Sequence, residues 1–367
     1  MSKPTYRAVV IGATGKGGYG HRQHLAFQNI EQIKLVALAD EDEAGRKVAL
    51  AESGAARGYA DYREMLRKEQ PDIVSVCPRW LDQRLPMVLD SIQAGCHVYC
   101  EKPFAMTLEH GDQMVAAAEQ AGVKIAVAHF HGAYLPGINA LKDLIQNGRI
   151  GTLLQMNAHG KHDHRGGGED MMDLGVHLFN LMNFFAGDVA WMSANVTAHG
   201  RAITANDVHE GTEPLGPLAG DRIDRYFAFK SSVPGFFNSR RNSVGVNDRY
   251  GVDFIGSEGM VSLRGGTTQN NLMIYPFPLW APFNAQQTWQ PLQLDYKINN
   301  QDEFLVAHKI AVLDLIRAIE HGTEPICSGK DGTKALEMVL AAYESQISGQ
   351  RVDFPMVNRQ HPLNFLQ

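Results

Sequence analysis

The sequence predicts two domains: a doubly wound parallel α/β sheet, followed by an α+β domain built on a mostly antiparallel sheet. Three observations lead to this fold class. Apolar strands alternate with amphipathic helices in the first part, a glycine-rich segment follows the first strand, and the second part contains a run of strands without intervening helices. At 367 residues the chain is long enough for two cores, and we place the boundary between residues 129 and 130, giving domains 1–129 and 130–367.

Composition excludes several classes of protein. With 44% hydrophobic and 20% charged residues the chain is typical of a soluble globular protein, and no apolar run approaches the roughly 18 residues of a membrane span. A net charge of -6 without a long basic run disfavours nucleic acid as the partner. Residues 1–6 lead into a strand-like run without a signal peptide, so we expect a cytoplasmic protein that binds a small molecule.

The cysteines carry no sign of a metal or redox site. Cys77, Cys96, Cys100 and Cys327 lack the CxxC spacing of zinc or dithiol motifs. We therefore expect them to be buried thiols in a reducing compartment.

The glycine-rich segment runs from Gly12 to Gly20, after a strand at residues 7–11 and before a helix-compatible stretch near His21 to Leu25. In a dinucleotide site, such glycines let backbone N–H groups approach the pyrophosphate, which lies at the positive end of the following helix. Gly15-x-Gly17-x-x-Gly20 fits this fingerprint, in a loop two or three residues longer than the minimal pattern. A glycine triplet alone is equally typical of a flexible loop.

A carboxylate in the right place strengthens the dinucleotide interpretation. The apolar strand at residues 34–39 ends in Asp40, about 20 residues beyond the last glycine, where an acid can accept a hydrogen bond from a ribose 2′-hydroxyl. Because Glu41 and Asp42 follow, a 2′-phosphate would meet three carboxylates. NAD is therefore preferred over NADP, and Arg46 is the nearby cation that weakens the preference.

Strand and helix continue to alternate up to residue 128, so the ligand is expected at the carboxyl ends of the strands. Lys102, in Glu101-Lys102-Pro103, follows the strand at residues 97–100. An ammonium group there would favour the developing alkoxide when hydride leaves carbon, or hold a carbonyl oxygen in the reverse reaction. The alternative is a surface lysine paired with Glu101.

A second candidate group lies on a helix predicted from Met171 to Phe185. Asp173 and His177 are spaced i and i+4, which places them on one face of the helix. A histidine with an unperturbed pKa of about 6.5 is suited to accepting a carbinol proton near neutral pH, and the aspartate can orient it or hold substrate. Gly175 weakens the helix, which suggests that a group packs close to that turn. Taken alone, an Asp/His helix pair is also an ordinary surface feature.

The segment from His159 to Arg165 is crowded with polar side chains at a probable strand end and loop. His162, Asp163 and His164 are metal-ligand types, but strand alternation gives the two histidines no fixed third partner. We therefore predict no metal and expect a polar wall that binds hydroxyl groups.

In this order and spacing, the glycine-rich segment, Asp40, Pro78 and Glu101-Lys102-Pro103 resemble the glucose-fructose oxidoreductase and inositol dehydrogenase family. Asp173-x-Gly175-x-His177 matches as well, and the resemblance covers nearly the whole chain. It implies an N-terminal Rossmann domain and a C-terminal α+β domain whose large, open, mostly antiparallel sheet often forms the oligomer interface.

The resemblance also implies NAD(P)-dependent oxidation or reduction of sugars, cyclitols or related polyols. Lys102 matches the family's catalytic lysine, and Asp173 and His177 match its catalytic aspartate and histidine. The candidate cofactor-binding residues are Gly12, Thr14, Gly15, Gly17, Gly18, Tyr19, Asp40, Pro78, Glu101 and Lys102. The candidate substrate-binding residues are Lys102, His162, His164, Arg165, Asp173 and His177. The chain departs from the family pattern at Arg79 (usually Asn), around Gln83 (usually His) and at Asn180 (usually Asp), which leaves the substrate open.

The sequence thus predicts an NAD-dependent dehydrogenase or reductase for a secondary alcohol of a sugar, sugar derivative or cyclitol. We expect a homodimer or homotetramer formed through the C-terminal sheet. Two other functions stay open: a redox-neutral glycosidase, lyase or epimerase that retains NAD and forms a transient keto-sugar, and a ligand sensor without catalysis. The joint presence of Lys102, Asp173 and His177 disfavours the sensor, which needs no proton relay.

Overall fold

A computed structural model describes residues 5–243, 250–265, 271–278, 286–296 and 302–366. The chain divides into two compact units. The first unit contains the chain up to Phe130 and two later segments, Thr212–Gly216 and Phe304–Lys334. The second unit contains the remainder. Contacts between residues far apart in the sequence thus add two segments to the first unit. A single boundary after residue 129 assigns both of these segments to the second domain.

The first unit is built on a six-stranded sheet. Its strands are β1 (Tyr6–Ile11), β2 (Ile33–Ala39), β3 (Arg57–Tyr59), β4 (Ile73–Val76), β5 (His97–Cys100) and β6 (Ile125–Val127). They lie in the order β3-β2-β1-β4-β5-β6, and every pair is parallel. The strand order reverses between β1 and β4, and in such sheets ligands bind in the crevice at the carboxyl ends beside this reversal. The predicted doubly wound sheet is confirmed. Strand β3 was not predicted because its three residues contain no apolar run.

The helices match the apolar periodicity of the sequence. They are α1 (Glu43–Ser53), α2 (Tyr62–Glu69), α3 (Arg84–Gln93), α4 (Leu108–Ala121), α5 (Ile138–Gln146), α6 (Gly168–Asp170), α7 (Val176–Ala186), α8 (Glu303–His321) and α9 (Gly329–Ser348). Side-chain caps fix where helices begin: Asp42 accepts a 2.6 Å hydrogen bond from the Gly45 amide at the start of α1, and Thr107 accepts one from the His110 amide before α4.

The second unit contains a ten-stranded sheet. Its strands are β7 (Leu153–His159), β8 (Val189–Ala198), β9 (Arg201–Ala202), β10 (Arg222–Phe229), β11 (Pro234–Arg240), β12 (Gly251–Gly256), β13 (Met260–Arg264), β14 (Leu272–Tyr275), β15 (Gln290–Pro291) and β16 (Val352–Asp353). The order is β15-β14-β13-β12-β7-β11-β10-β8-β16, with β9 paired to β8. Only the pair of β11 and β7 is parallel among the pairs in the described ranges, so the predicted mostly antiparallel sheet is confirmed.

One face of this sheet forms the core of the second unit and carries helix α7. Side chains of β10 alternate between buried and partly exposed, as a half-buried strand requires. On the buried face, the Phe179 ring of α7 lies 5.6 Å from the Phe227 ring and 5.0 Å from the Phe237 ring, measured between centroids. These aromatic contacts fix the position of α7 on the sheet.

The four cysteines are all buried free thiols, which confirms the prediction made for them. In the part of the chain that the structure describes, no helix combines the length and the apolarity that crossing a lipid bilayer requires.

Candidate active site

The glycine-rich segment forms a tight turn at the carboxyl end of β1. The Ala13 amide donates to the Gly18 carbonyl at 3.0 Å, and the Gly18 amide donates back to the Ala13 carbonyl at 2.8 Å. Gly17 has a φ of +85°, and a Cβ atom there would lie 2.5 Å from the Arg79 amide nitrogen. Glycine is therefore required at Gly17, because it brings the turn against the loop of Pro78 and Arg79 that follows β4.

The segment after this turn corrects one prediction. The helix expected near His21 to Leu25 is only a 3₁₀ turn at Gln23–Leu25, preceded by Arg22 with a left-handed φ of 64°. The buried Gln23 side chain donates to Ser75 Oγ at 2.8 Å and to the Tyr99 carbonyl at 3.1 Å, which anchors the segment over the sheet instead of extending a helix. A dinucleotide pyrophosphate would therefore depend on backbone N–H groups of the glycine turn, without a long helix dipole.

Asp40 lies at the carboxyl end of β2 and is almost fully buried. Its carboxylate accepts hydrogen bonds from the Thr14 amide at 3.0 Å, the Thr14 hydroxyl at 2.7 Å and the Asp42 amide at 3.0 Å. Arg46 donates to the Asp40 backbone carbonyl at 2.5 Å, and the Lys16 ammonium lies 3.6 Å from Glu41. An acid joined to the glycine turn fits the ribose of NAD and disfavours a 2′-phosphate.

Tyr19 closes the turn over its first glycine. A Cβ atom on Gly12 would lie 2.2 Å from the Tyr19 ring, so only glycine allows the ring this close approach. Burial raises the pKa of Tyr19, and the neighbouring Asp40 carboxylate raises it further. The structure thus brings Gly12, Thr14, Tyr19 and Asp40 together at the carboxyl ends of β1 and β2.

Glu101 and Lys102 follow β5 at the carboxyl edge of the sheet, and both are buried, with relative exposures of 0% and 3%. His21 Nδ1 lies 2.7 Å from a Glu101 carboxylate oxygen. Burial raises the pKa of Glu101, but the hydrogen bond to His21 and the charge of Lys102 outweigh it, so this pKa lies below its usual value. The Lys102–Pro103 peptide bond is cis. The alternative of an exposed lysine at a strand end is wrong.

His129 is buried in the same unit and responds to the charge of Lys102. Burial lowers its pKa to about 3, and the Lys102 ammonium contributes to that shift. His129 is therefore a neutral imidazole near the lysine at physiological pH. Neither His21 nor His129 was predicted as part of the site. Their nearness to Glu101 and Lys102 arises from loops that lie far apart in the sequence.

In the second unit, Asp173 and His177 lie on one helical segment with an irregular turn. The chain passes from α6 through a π-helical turn at Met171–Gly175 into α7. The predicted helix is therefore present, but Asp173 lies in its π-helical part and His177 in the first turn of α7. Such turns occur often at functional sites. The close contact expected at Gly175 is with the Phe179 ring, which would lie 2.9 Å from an added Cβ atom.

The polar loop after β7 contacts this segment through Arg165. The Arg165 guanidinium lies 2.9 Å from Asp173 Oδ2, and both side chains are partly exposed. Strand β7 ends at His159, so strand alternation does not orient His162 and His164. His162 has a left-handed φ of 59°, with its Nδ1 atom 3.2 Å from Ser243 Oγ, whereas His164 is exposed to solvent. Of the three predicted wall residues, Arg165 forms an ion pair with Asp173.

Three further residues, His131, Tyr250 and Lys161, were not predicted as site residues. The His131 ring lies edge-on to the His177 ring, with centroids 5.3 Å apart. His131 Nε2 lies 3.5 Å from the Tyr250 hydroxyl, the outer limit of a hydrogen bond, and the Lys161 ammonium lies 5.7 Å above the Tyr250 ring. A signal existed for His131, which follows β6 within a short His-Phe-His sequence. Tyr250 is placed by sheet pairing and had no local signal.

Two departures from the family pattern have structural explanations. The Arg79 guanidinium forms an ion pair with Glu213, which belongs to the segment Thr212–Gly216 of the same unit. Asn180 is buried on α7, and its side-chain oxygen accepts a 2.9 Å hydrogen bond from the Ala133 amide. Within the described ranges, no group of three or more His, Cys, Asp or Glu side chains is arranged to hold a metal ion.

Comparison with known families decides where the chain belongs. Residues 6–129 match the family model for an oxidoreductase family with an NAD-binding Rossmann fold, and residues 142–354 match the model for the C-terminal alpha/beta domain of the same family. The chain belongs to the Gfo/Idh/MocA oxidoreductase family. The family model describes residues 6–129 as an NAD-binding Rossmann fold, and the turn of Gly12 to Gly20 with Asp40 supplies residues that fit NAD.

Relatives and solved structures of this family cover nearly the whole chain. D-apiose dehydrogenase of Paraburkholderia graminis is 28% identical, over 97% of this chain and 92% of the relative. Inositol 2-dehydrogenase of Pseudomonas savastanoi is 26% identical, over 96% of this chain and 98% of the relative. The solved complex of levoglucosan dehydrogenase with NADH and L-sorbose superposes with a TM-score of 0.77 at 18% identity, covering 96% and 100% of the two chains. At this identity the likeness establishes the fold.

Proposed function

We propose that this member of the Gfo/Idh/MocA family transfers hydride between NAD and a secondary alcohol of a sugar, sugar derivative or cyclitol. The observation that carries the proposal is the buried Lys102 ammonium after β5, in the unit that holds the NAD-binding turn. A lysine that is 3% exposed serves no solubility role, and its position at the carboxyl edge suits a group that acts on substrate. The dehydrogenase names of the relatives support the same substrate class.

NAD supplies the nicotinamide ring that accepts or returns the hydride. Backbone N–H groups of the glycine turn and the Asp40 carboxylate would hold the dinucleotide, and Pro78 and Glu101 would contribute further contacts. The Lys102 ammonium stabilises negative charge on the substrate oxygen. His177 exchanges the hydroxyl proton, and Asp173, held by Arg165, positions the histidine or a substrate hydroxyl. Lysine and histidine can exchange these two roles without changing the overall reaction.

We propose that the remaining hydroxyl groups of the substrate bind along the polar loop of His162, His164 and Arg165. The hydrogen-bond donors and acceptors of this loop suit the hydroxyl groups of a polyol better than an apolar ligand. His131 adjoins His177, and Tyr250 in turn contacts His131, so that both extend this polar surface.

We propose further that the outer face of the ten-stranded sheet joins copies of the chain into a dimer or tetramer. The rings of Trp191, Tyr226 and Phe236 lie side by side there, with centroids 5.2 and 5.4 Å apart, and Phe236 is 37% exposed. Contiguous exposed aromatic surface is typical of an interface. Light scattering should give a multimer for the wild type and a smaller species for Phe236→Asp.

The decisive experiment incubates the protein and NAD with a panel of polyols, sugars and glycosides. Absorbance of reduced cofactor and product mass are followed together. Net NADH with a product two mass units lighter is the expected result for at least one polyol or sugar. A changed substrate without net NADH would instead support the redox-neutral function with retained NAD. No product with any compound, despite NAD binding, would contradict both enzymatic functions.

A further inference from the structure

Arg84 is an almost fully buried arginine in the first unit, and none of the roles assigned so far involves it. It is the first residue of α3 and is 1% exposed. Burying a guanidinium group is unfavourable unless its donors are satisfied, so its contacts deserve a physical explanation. Its two Nη atoms meet backbone carbonyl oxygens of two loops at the carboxyl edge of the parallel sheet, whereas its buried Nε has no hydrogen-bond partner among the described residues.

The carbonyl oxygens that Arg84 contacts flank Lys102 on both sides. Nη1 donates to the carbonyl of Glu101, and it also donates to the carbonyl of Pro103 at 2.8 Å. Nη2 donates to the carbonyl of Pro78 at 2.5 Å. One planar group thus ties the loop after β5 to the loop after β4.

This geometry fixes the direction in which Lys102 leaves the backbone. The carbonyls of Glu101 and Pro103, the residues before and after the lysine, are held by one rigid guanidinium group. This restricts the backbone rotation that would move the lysine side chain. A lysine ammonium carries its three N–H donors on one nitrogen, so it cannot reproduce the planar spacing of two Nη atoms at three carbonyl oxygens. A displacement of about 1 Å at a reacting group can lower a rate on the order of a hundredfold.

We infer that Arg84 is the positioning residue that orients Lys102 toward the substrate oxygen, an inference that rests on the proposed function of that lysine. Arg84 touches neither substrate nor cofactor in this role. It acts through the loop that carries Lys102, so its effect on turnover must depend on the lysine being present.

The test is a double-mutant cycle of Arg84→Lys and Lys102→Ala, measured by single-turnover hydride transfer from a substrate identified in the panel. Arg84→Lys should slow hydride transfer about tenfold or more in the wild-type background, but by less than about twofold when Lys102 is already Ala. The isotope effect on steady-state turnover, measured with substrate deuterated at the reacting carbon, should rise in Arg84→Lys because hydride transfer becomes more rate-limiting. The KM for NAD should stay within about threefold of wild type.

Arg7→Lys is the matched control. Arg7 also donates to a backbone carbonyl in this unit, that of Glu69, at 2.8 Å, but at the amino end of the sheet. The Arg7→Lys variant should have a lower melting temperature and an unchanged rate of hydride transfer. All assays are run well below the melting temperature of each variant, and Arg84→Gln, which keeps amide donors, replaces Arg84→Lys if the latter does not fold.

Equal slowing by Arg84→Lys in both backgrounds would show a general structural role and overturn the inference. Unchanged hydride transfer in Arg84→Lys would overturn it as well. Wild-type turnover in Lys102→Ala would instead overturn the proposed role of the lysine itself, and the two failures are therefore distinguishable.

Discussion

The two units present their proposed functional groups in different ways. In the first unit, Asp40 and Lys102 lie on short loops directly after strands. The Thr14 amide donates to the Asp40 carboxylate, and the Arg84 side chain donates to the carbonyls of the residues on either side of Lys102. In the second unit, Asp173 and His177 lie on a helical segment, and their neighbours are side chains from distant segments. The comparison teaches that hydrogen bonds to or from backbone atoms hold the functional loops of the first unit, whereas contacts between side chains hold the groups of the second.

The largest expected effect comes from removing either proposed catalytic group. Lys102→Ala and His177→Ala should each lower kcat by about a hundredfold or more, because one loses the charge that stabilises the oxygen and the other loses proton transfer. NAD binding, measured by fluorescence titration, should change little. Activity near the wild-type level in both variants would refute the assignment for both units.

Removing the partner of Asp173 should have a smaller effect and would sharpen the contrast between the units. Arg165→Met leaves the carboxylate without its 2.9 Å ion pair, so we expect kcat to fall about tenfold, with a larger change in kcat than in the KM for NAD. Arg222→Met is the control, since it breaks an exposed ion pair with Asp224 in the same unit and should have almost no effect. Equal loss in both variants would exclude a specific role for Arg165.

The contrast between the two units also explains how much of the fold and of the candidate site could be predicted from the sequence. The glycine turn, Asp40 and Lys102 could be located from the sequence because each follows a strand within a few residues, and strand ends of a parallel sheet share one edge. The i, i+4 spacing predicted that Asp173 and His177 share a helix face. His21 and Tyr250 could not be located, because their contacts bridge many residues, whereas His131 had a signal in its short His-Phe-His sequence. The absence of a long helix after the glycine turn also depends on long-range contacts of Gln23.

The smallest effect concerns stability and tests whether the loop beside Arg165 is held by a buried acid. Asp170 accepts hydrogen bonds from Ser239 Oγ at 2.6 Å and from the Lys161 amide at 2.9 Å, and burial raises its pKa to about 6. The unfolded chain has the ordinary value of about 3.9, so between these values the folded state binds the proton more tightly. This contribution to stability is complete below about pH 4 and is lost as pH rises through 6.

The substitution Asp170→Asn should remove this dependence of the folding stability on pH. The difference in unfolding free energy between wild type and Asp170→Asn should decrease, on the order of 1 kcal/mol, between pH 4 and pH 6, as measured by denaturant titration. Subtracting the variant cancels the other carboxylates that titrate in this range. A difference that stays constant or grows with pH would mean that Asp170 is not buried as described.

The central proposal is that the Lys102 ammonium and the His177 imidazole act on the same substrate oxygen. A crystal structure with NAD and a polyol accepted in the panel tests it directly. The account predicts Lys102 Nζ and a His177 ring nitrogen both within about 3.2 Å of one hydroxyl oxygen, with its carbon beside the nicotinamide ring. A bound substrate whose reacting hydroxyl contacts neither group, or only one of them, would contradict it.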